Sequence, residues 1–314
     1  MGQYGLIEAG GTKFVLGIAD ETGAIIARHR IDTTTPADVF GAVIAWFRET
    51  GLRPSAIGIG SFGPLDLDRT SPGWGHITRT PKPHWDGADL VGPLVGAFNC
   101  PVGLETDVNG AALAESRWGV GRGHNSLLYL TVGTGIGGGY VSGGGFGKGG
   151  RLLAGVSHPE MGHIRVPRHR DDGAFTGTCR FHGDCLEGLA SGTAIIARWG
   201  QSLSRLALVK ASDDQSQAEM PEAEMPEAEM IAWYLGQAVG TFQAILEPAR
   251  IVLGGGVMET PGLLDKIRRH AAEAGNGYFV GDPREVVVAP GLQRDSGLLG
   301  ALAVAYAAEM AAAG

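Results

Sequence analysis

Two histidines and two cysteines occur in the order His163, Cys179, His182, Cys185. Two imidazoles and two thiolates are a complete tetrahedral donor set for a structural zinc. The spacing is not that of a zinc finger, because no compact ββα unit lies between the ligands. A knuckle on one loop would instead clamp a distant histidine. The stretch 155–185 is irregular, glycine-rich and charged, with little apolar material to order it. A metal worth about 10–16 kcal/mol in apparent binding free energy would order it. A chance grouping of buried thiols and loop histidines is the other reading, and His158 and His169 stand nearby as spare ligands.

Two further segments combine glycine turns with hydroxyls. Residues 8–13 read EAGGTK: a strand end, the turn Gly10-Gly11, the Thr12 hydroxyl and the Lys13 ammonium. Residues 130–140 read LTVGTGIGGGY, with Thr131, Gly133, Thr134, Gly135 and Gly137 in a tight hairpin. Backbone N–H groups and hydroxyls of such turns cradle phosphate oxygens. Ordinary glycine turns are the alternative for each. Formally Gly133, Gly135 and Gly138 match a dinucleotide fingerprint, but that motif must open a helix. Here it runs into Tyr140-Val141-Ser142 and more glycine. A P-loop is excluded too, because Lys148 is followed by Gly149. A third turn, Gly254-Gly255-Gly256, follows a strand at 251–253 and is placed as an adenosine site would be, at a strand's C-terminal end.

The elements that must hold these residues read as α/β. A meander of strands is expected at 4–9, 14–19 and 24–29, and a helix at 38–49 with Asp38 as its N-terminal acid. Strands at 56–61 and 102–106 alternate with helices at 90–98 and 109–118. A second region opens with a strand at 127–132 and its return at 137–141. Helices follow at 186–199, 230–247, 261–274 (with Pro261 at a tolerated early position) and 295–310, with strands at 251–253 and 286–288. Two strand-then-helix sets imply two lobes. The expected division is a small lobe at 1–118, with the terminal helix 295–312 packed on it, and a large lobe at 119–294. Residues 218–230, AEMPEAEMPEAEM, repeat a five-residue unit whose prolines forbid one continuous helix. They read as a surface insertion, with a partner-binding loop as the alternative.

Composition narrows the classes. Of 314 residues 53 are glycine, 44% are hydrophobic, 18% are charged, and the net charge is -8. Glycine at about 17%, against a usual ~7%, means many tight turns or close backbone approaches. The acidic balance argues against a nucleic-acid or membrane-surface protein. No signal peptide is read at the N-terminus, and no apolar run approaches the ~20 residues of a membrane helix. Three cysteines without a paired framework suit a reducing cytoplasm. Cys100 reads as a buried free thiol.

EAGGTK, TVGTGIGGG and LGGG in this order resemble the phosphate and adenosine motifs of the two-lobed ribonuclease H-like/actin-like ATPase (sugar kinase) fold. More narrowly they resemble the ROK family of bacterial sugar kinases and repressors, and CRFHGDCLEGLASG resembles that family's zinc loop. The likeness runs from Glu8 to the terminal helix. It implies ATP and Mg²⁺, with Glu8 in the magnesium environment where many relatives have Asp. It implies that Glu160 and His163 of the E-x-G-H motif, and Glu187, contact sugar hydroxyls; His163 would serve zinc through one nitrogen and sugar through the other. A helix-dipole acid is the plain alternative for Glu187. Asp107 corresponds to the family's general base, with an N-cap as its alternative. Thr106 stands where the glucokinase-like branch has Asn. Ser61-Phe62-Gly63-Pro64 resembles the sugar-side loop, placing Gly63, Pro64 and Thr106 near substrate.

The fructokinase branch fits better, on IEAGGTKF, TPKPHW at 80–85 and HGDCLEGLASG. Lys82 of TPKPHW is a substrate contact or a surface lysine. The resemblance therefore implies ATP-dependent phosphorylation of a hexose, D-fructose first, in a cytoplasmic enzyme that is a homodimer as relatives often are. Kinases of mannose, glucose or N-acetylmannosamine are the alternatives. A ROK-type regulator would carry a DNA-binding segment ahead of Glu8, where no room is expected.

Overall fold

The computed structural model describes residues 2–80, 82–143, 150–155, 157–213 and 225–313. In chain order the elements are β1 (Gln3–Ala9), β2 (Lys13–Asp20), β3 (Ile25–Asp32), α1 (Pro36–Glu49), β4 (Pro54–Ser61), α2 (Gly92–Phe98), β5 (Val102–Thr106), α3 (Asp107–Arg117), β6 (Ser126–Val132), β7 (Ile136–Ser142) and β8 (Arg151–Leu152). They continue with α4 (Leu186–Ala190), α5 (Gly192–Trp199), α6 (Leu203–Asp213), α7 (Pro226–Leu246), β9 (Arg250–Gly254), α8 (Leu263–Gly275), α9 (Pro283–Val286), β10 (Val287–Val288) and α10 (Ser296–Ala313). The chain forms two compact units. One holds Met1–Gly123, Gly139–Pro159 and Gly291–Gly314; the other holds His124–Gly138 and Glu160–Pro290.

In the first unit the sheet order is β3-β2-β1-β4-β5. β1, β2 and β3 form an antiparallel meander, and β4 and β5 join β1 in parallel. The parallel register pairs Ala9 with Ser61 and Ser61 with Thr106. The C-terminal ends of β1, β4 and β5 therefore lie in one row, the edge at which α/β sheets bind ligands. One face of this sheet buries Phe14, Ile57, Ile59 and Trp85 with Val43 and Phe47 of α1. The other carries α10. This contact uses the glycine excess: a Cβ at Gly58 would stand 1.8 Å from the Ala301 carbonyl oxygen, and one at Gly103 2.6 Å from that of Val304. By length and composition α10 could cross a membrane, contrary to the expectation that no run approached that size; 61% of its length is buried inside the protein.

In the second unit β6, β9 and β10 run parallel, and α7 packs along α8. Asp172, 5% exposed, accepts from Tyr234 Oη at 2.6 Å and Arg198 Nη2 at 2.8 Å. That buried cluster fastens the irregular 165–185 stretch to α5 and α7.

Several boundaries differ from expectation. The helix read over 186–199 is two helices, because Ser191 turns extended and caps α5 by accepting from the Ala194 N–H. Pro261 lies outside α8, whose N-cap is Gly262 at φ 70°. α6 was not anticipated. Residues 218–224 of the repeat lie outside the described residues. Its end is no insertion: Met225 is the N-cap of α7, Pro226 opens the helix, and Ala228 is buried.

Candidate active site

The start of α3 separates two roles that one Asp could have combined. Thr106 is the N-cap, its hydroxyl accepting from the Asn109 N–H at 3.1 Å. Asp107 is thereby released from capping, and its Oδ1 accepts the Val108 N–H at 2.8 Å. The residue is exposed at its surface. Desolvation nonetheless pushes its carboxyl above the usual range, opposed by the N–H groups of Val108 and Asp107 and by His158. Gly60 of the adjacent strand leaves room for it; a Cβ there would stand 3.7 Å from Asp107 Cα.

Two more carboxylates lie at this edge of the first unit. Glu8 abuts Gly297, where a Cβ would come within 2.3 Å of its carboxyl carbon. Burial raises its pKa, Lys13 lowers it, and Asp107 raises it again. Acidic oxygens in one another's field are the donors a hard divalent cation prefers. Glu105 accepts from Asn109 Nδ2 at 2.9 Å, and burial raises its pKa against the opposing effects of Asn109, Thr106, His158 and Arg69. His158, a spare zinc ligand by sequence, acts here on Glu105 and Asp107 instead. The Gly63-Pro64 peptide is cis, the Phe62 N–H reaches the Ala9 carbonyl at 2.9 Å, and the Pro64 carbonyl accepts the Thr78 N–H at 2.8 Å. The loop 61–64 is thus tied to the end of β1.

The first glycine turn has its carbonyls bound inward. Gly10 O accepts the Thr33 hydroxyl at 2.8 Å, Thr12 O the Thr33 N–H at 3.0 Å, and Lys13 O the Gly10 N–H at 2.9 Å. Gly11 O accepts Lys82 Nζ. The Gly11 and Thr12 N–H groups have no acceptor among the described residues. This leaves backbone donors for an anion.

In the second unit the other turn is built likewise. Gly133 O accepts the Gly192 N–H at 2.7 Å, Thr134 O the Thr193 hydroxyl at 2.7 Å, and Gly135 O the Gly133 N–H at 2.9 Å. Thr131 precedes it on β6, paired with Gly254, and Gly137 follows on β7. Glu187 of α4 closes the turn, Oε2 accepting the Ile136 N–H at 3.0 Å. A Cβ at Gly135 would lie 2.6 Å from that oxygen, so a larger residue there would have to displace the Glu187 carboxylate. Glu187 is therefore more than a helix-dipole acid. At the end of β9, Gly255 has φ 94°, and a Cβ there would press on the Val132 backbone at 2.5 Å; Gly256 opens a 3₁₀ turn.

His163, Cys179, His182 and Cys185 converge, their ligand atoms all within 4.8 Å of one another. His163 Nδ1 lies 3.4 Å from Cys185 Sγ and 3.6 Å from Cys179 Sγ; His182 Nδ1 lies 3.6 Å from Cys179 Sγ. Tetrahedral zinc with bonds of about 2.3 Å to sulfur and 2.0 Å to nitrogen sets these separations near ~3.6 Å. The donors fit that ion in type and spacing. A tight turn forms the knuckle, with Gly183 at φ 64° and its N–H on the Cys179 carbonyl at 2.9 Å. Burial, aided by the neighbouring Cys179 and opposed by the Gly188 N–H, pushes the Cys185 thiol up to about 11. Metal binding would release that proton. His163 turns Nδ1 to the thiols, leaving Nε2 for another partner. Exposed Glu160 precedes it by three residues. His169 is not part of the set; its ring lies edge-on to Trp233.

The ROK family profile matches residues 4–308. The chain belongs to the ROK family. This ROK chain is similar to the fructokinase of Zymomonas mobilis, 47% identical over 311 residues, covering 98% of this chain and 97% of the relative. Among solved structures it is similar to the ROK hexokinase of Thermus thermophilus, with 30% identity, a TM-score of 0.76 and coverage of 99% and 100%. It is also similar to a ROK family glucokinase from Streptomyces griseus in complex with glucose and AMPPNP, with 26% identity, a TM-score of 0.72 and coverage of 98% and 100%.

Proposed function

We propose that the protein is a fructokinase, transferring the γ-phosphate of ATP to D-fructose to give fructose 6-phosphate. The full-length similarity to the Zymomonas mobilis fructokinase carries this reading. The residue geometry supports the chemistry. Asp107 takes the proton of the attacking hydroxyl; its raised pKa makes the carboxylate a stronger base than an ordinary one. The turn Gly10-Gly11-Thr12, through the Gly11 and Thr12 N–H groups that have no acceptor among the described residues and with Lys13, contacts the phosphates; the turn of Gly133, Thr134, Gly135 and Gly137, with Thr131, is the second phosphate contact. Gly254, Gly255 and Gly256 receive adenosine. Glu160, His163 and Glu187 contact sugar hydroxyls, and Gly63, Pro64 and Thr106 are substrate contacts as well.

Bound magnesium would neutralise charge on the transferring phosphates, and Glu8 would stand in its environment. His163, Cys179, His182 and Cys185 would hold zinc, which fixes the His163 tautomer and leaves Nε2 toward sugar. The reading includes a cytoplasmic homodimer without nucleic-acid partners, checked by sedimentation with and without DNA. A coupled ADP-release assay over fructose, mannose, glucose and N-acetylmannosamine tests the reaction itself.

A further inference from the structure

The motif TPKPHW is not absorbed by the roles above. Its last residue anchors it: Trp85 is fully buried, donates Nε1–H to the Thr34 carbonyl at 2.8 Å, and lies with its ring centroid 5.5 Å from those of Phe14 and Phe62. The Trp85 N–H returns to the Lys82 carbonyl at 3.2 Å. An otherwise irregular loop is thus fixed on the core of the first unit, and half-buried Lys82 has a defined origin. From there its ammonium reaches the Gly11 carbonyl.

That carbonyl is the one member of the turn 10–13 not satisfied by the turn itself or by Thr33. Left bare, it would set a partial negative charge beside the outward N–H groups of Gly11 and Thr12. Lys82 covers it and brings a full positive charge to the same place. An ammonium has three N–H donors, and this bond uses one. The space over Gly11 is open, since a Cβ built there meets nothing within 4 Å.

We infer that Lys82 is a phosphate-contacting residue, a second cation beside Lys13 that binds the β- and γ-phosphates of the nucleotide at the first glycine turn. The assignment rests on the kinase reading above. It predicts a loss graded by phosphate number and not by sugar. Nucleotide titrations with AMP, ADP and AMPPNP on the full chain, with Lys82→Gln, Lys82→Ala and Lys82→Arg, test it. Gln retains an N–H donor, one bond shorter in reach, without the charge, whereas Arg keeps both the charge and the donors.

Lys82→Gln and Lys82→Ala should weaken ADP and AMPPNP about tenfold or more, leave AMP within about twofold and fructose KM unchanged, and lower kcat; Lys82→Arg should recover most of it. Wild-type behaviour of Lys82→Gln would show that Lys82 merely braces the turn and would overturn the inference. A loss confined to fructose KM would overturn it in favour of a sugar contact. Wild-type protein that binds no AMPPNP and turns over no hexose would instead remove the kinase reading beneath it.

Discussion

At Asp107 a carboxylate is exposed for reaction because its neighbour does the capping. Thr106 satisfies the Asn109 N–H, so Asp107→Asn should leave α3 intact. Turnover should fall roughly 100- to 10,000-fold, with fructose KM nearly unchanged. A carboxylate whose folded pKa is raised loses stability as pH rises through it, because desolvation by its surroundings penalises the ionised form. The variant's Tm at neutral pH should therefore equal or exceed that of wild type. Activity has the opposite dependence: the base must be ionised, so kcat/KM should fall on acidification through a pKa above the ordinary carboxylate range. An acid limb at the usual aspartate value, or a variant with normal turnover, would remove Asp107 from this role. Glu105-Thr106-Asp107 offered two roles for Asp107, the base that the resemblance implies and an N-cap. Which residue capped was not legible, because either side chain suits an N-cap. Nor could sequence place Lys82 on a carbonyl 71 positions away; only Trp85 in the core fixes that approach.

The His/Cys knuckle at 179–185 lies in an irregular stretch, and its donor set suits a structural zinc. Its four donors were legible because residue type and spacing alone define a tetrahedral set. The purified protein should contain about one zinc per chain. Chelation, or Cys179→Ser, should lower Tm clearly, and calorimetry with and without chelator would record it; an unchanged Tm would mean that the cluster does not hold a structural metal. Strands and long helices were legible too, since their apolar periods survive in the fold. The break at Ser191 was not, because apolar spacing continues across it while the backbone turns extended. α6 and the α7 start were hidden by weak amphipathicity and by the proline repeat. The glycines at 58 and 103 could not be distinguished from turn glycines without α10 above them. Gly58→Ala should cost about 3 kcal/mol by overpacking, since the new methyl would meet a helix backbone and not a yielding side chain. Denaturant unfolding measures it, and a loss below about 0.5 kcal/mol would mean α10 is not held against this strand.

On the scale of the whole molecule, the parallel register of β1, β4 and β5 brings Glu8, Ser61 and Thr106 to one sheet edge. In the second unit β6 and β9 end at glycine turns. Motif order made that architecture legible in the sequence, because each motif closes a strand. The sugar was less legible. Its choice rests on a resemblance concentrated in TPKPHW and HGDCLEGLASG. Turnover therefore decides the central claim most directly. Initial rates of ADP release with saturating Mg-ATP should be compared across fructose, mannose, glucose and N-acetylmannosamine. The highest kcat/KM is expected for fructose, with fructose 6-phosphate as product; a higher value for another hexose, or no turnover with any, would contradict the account.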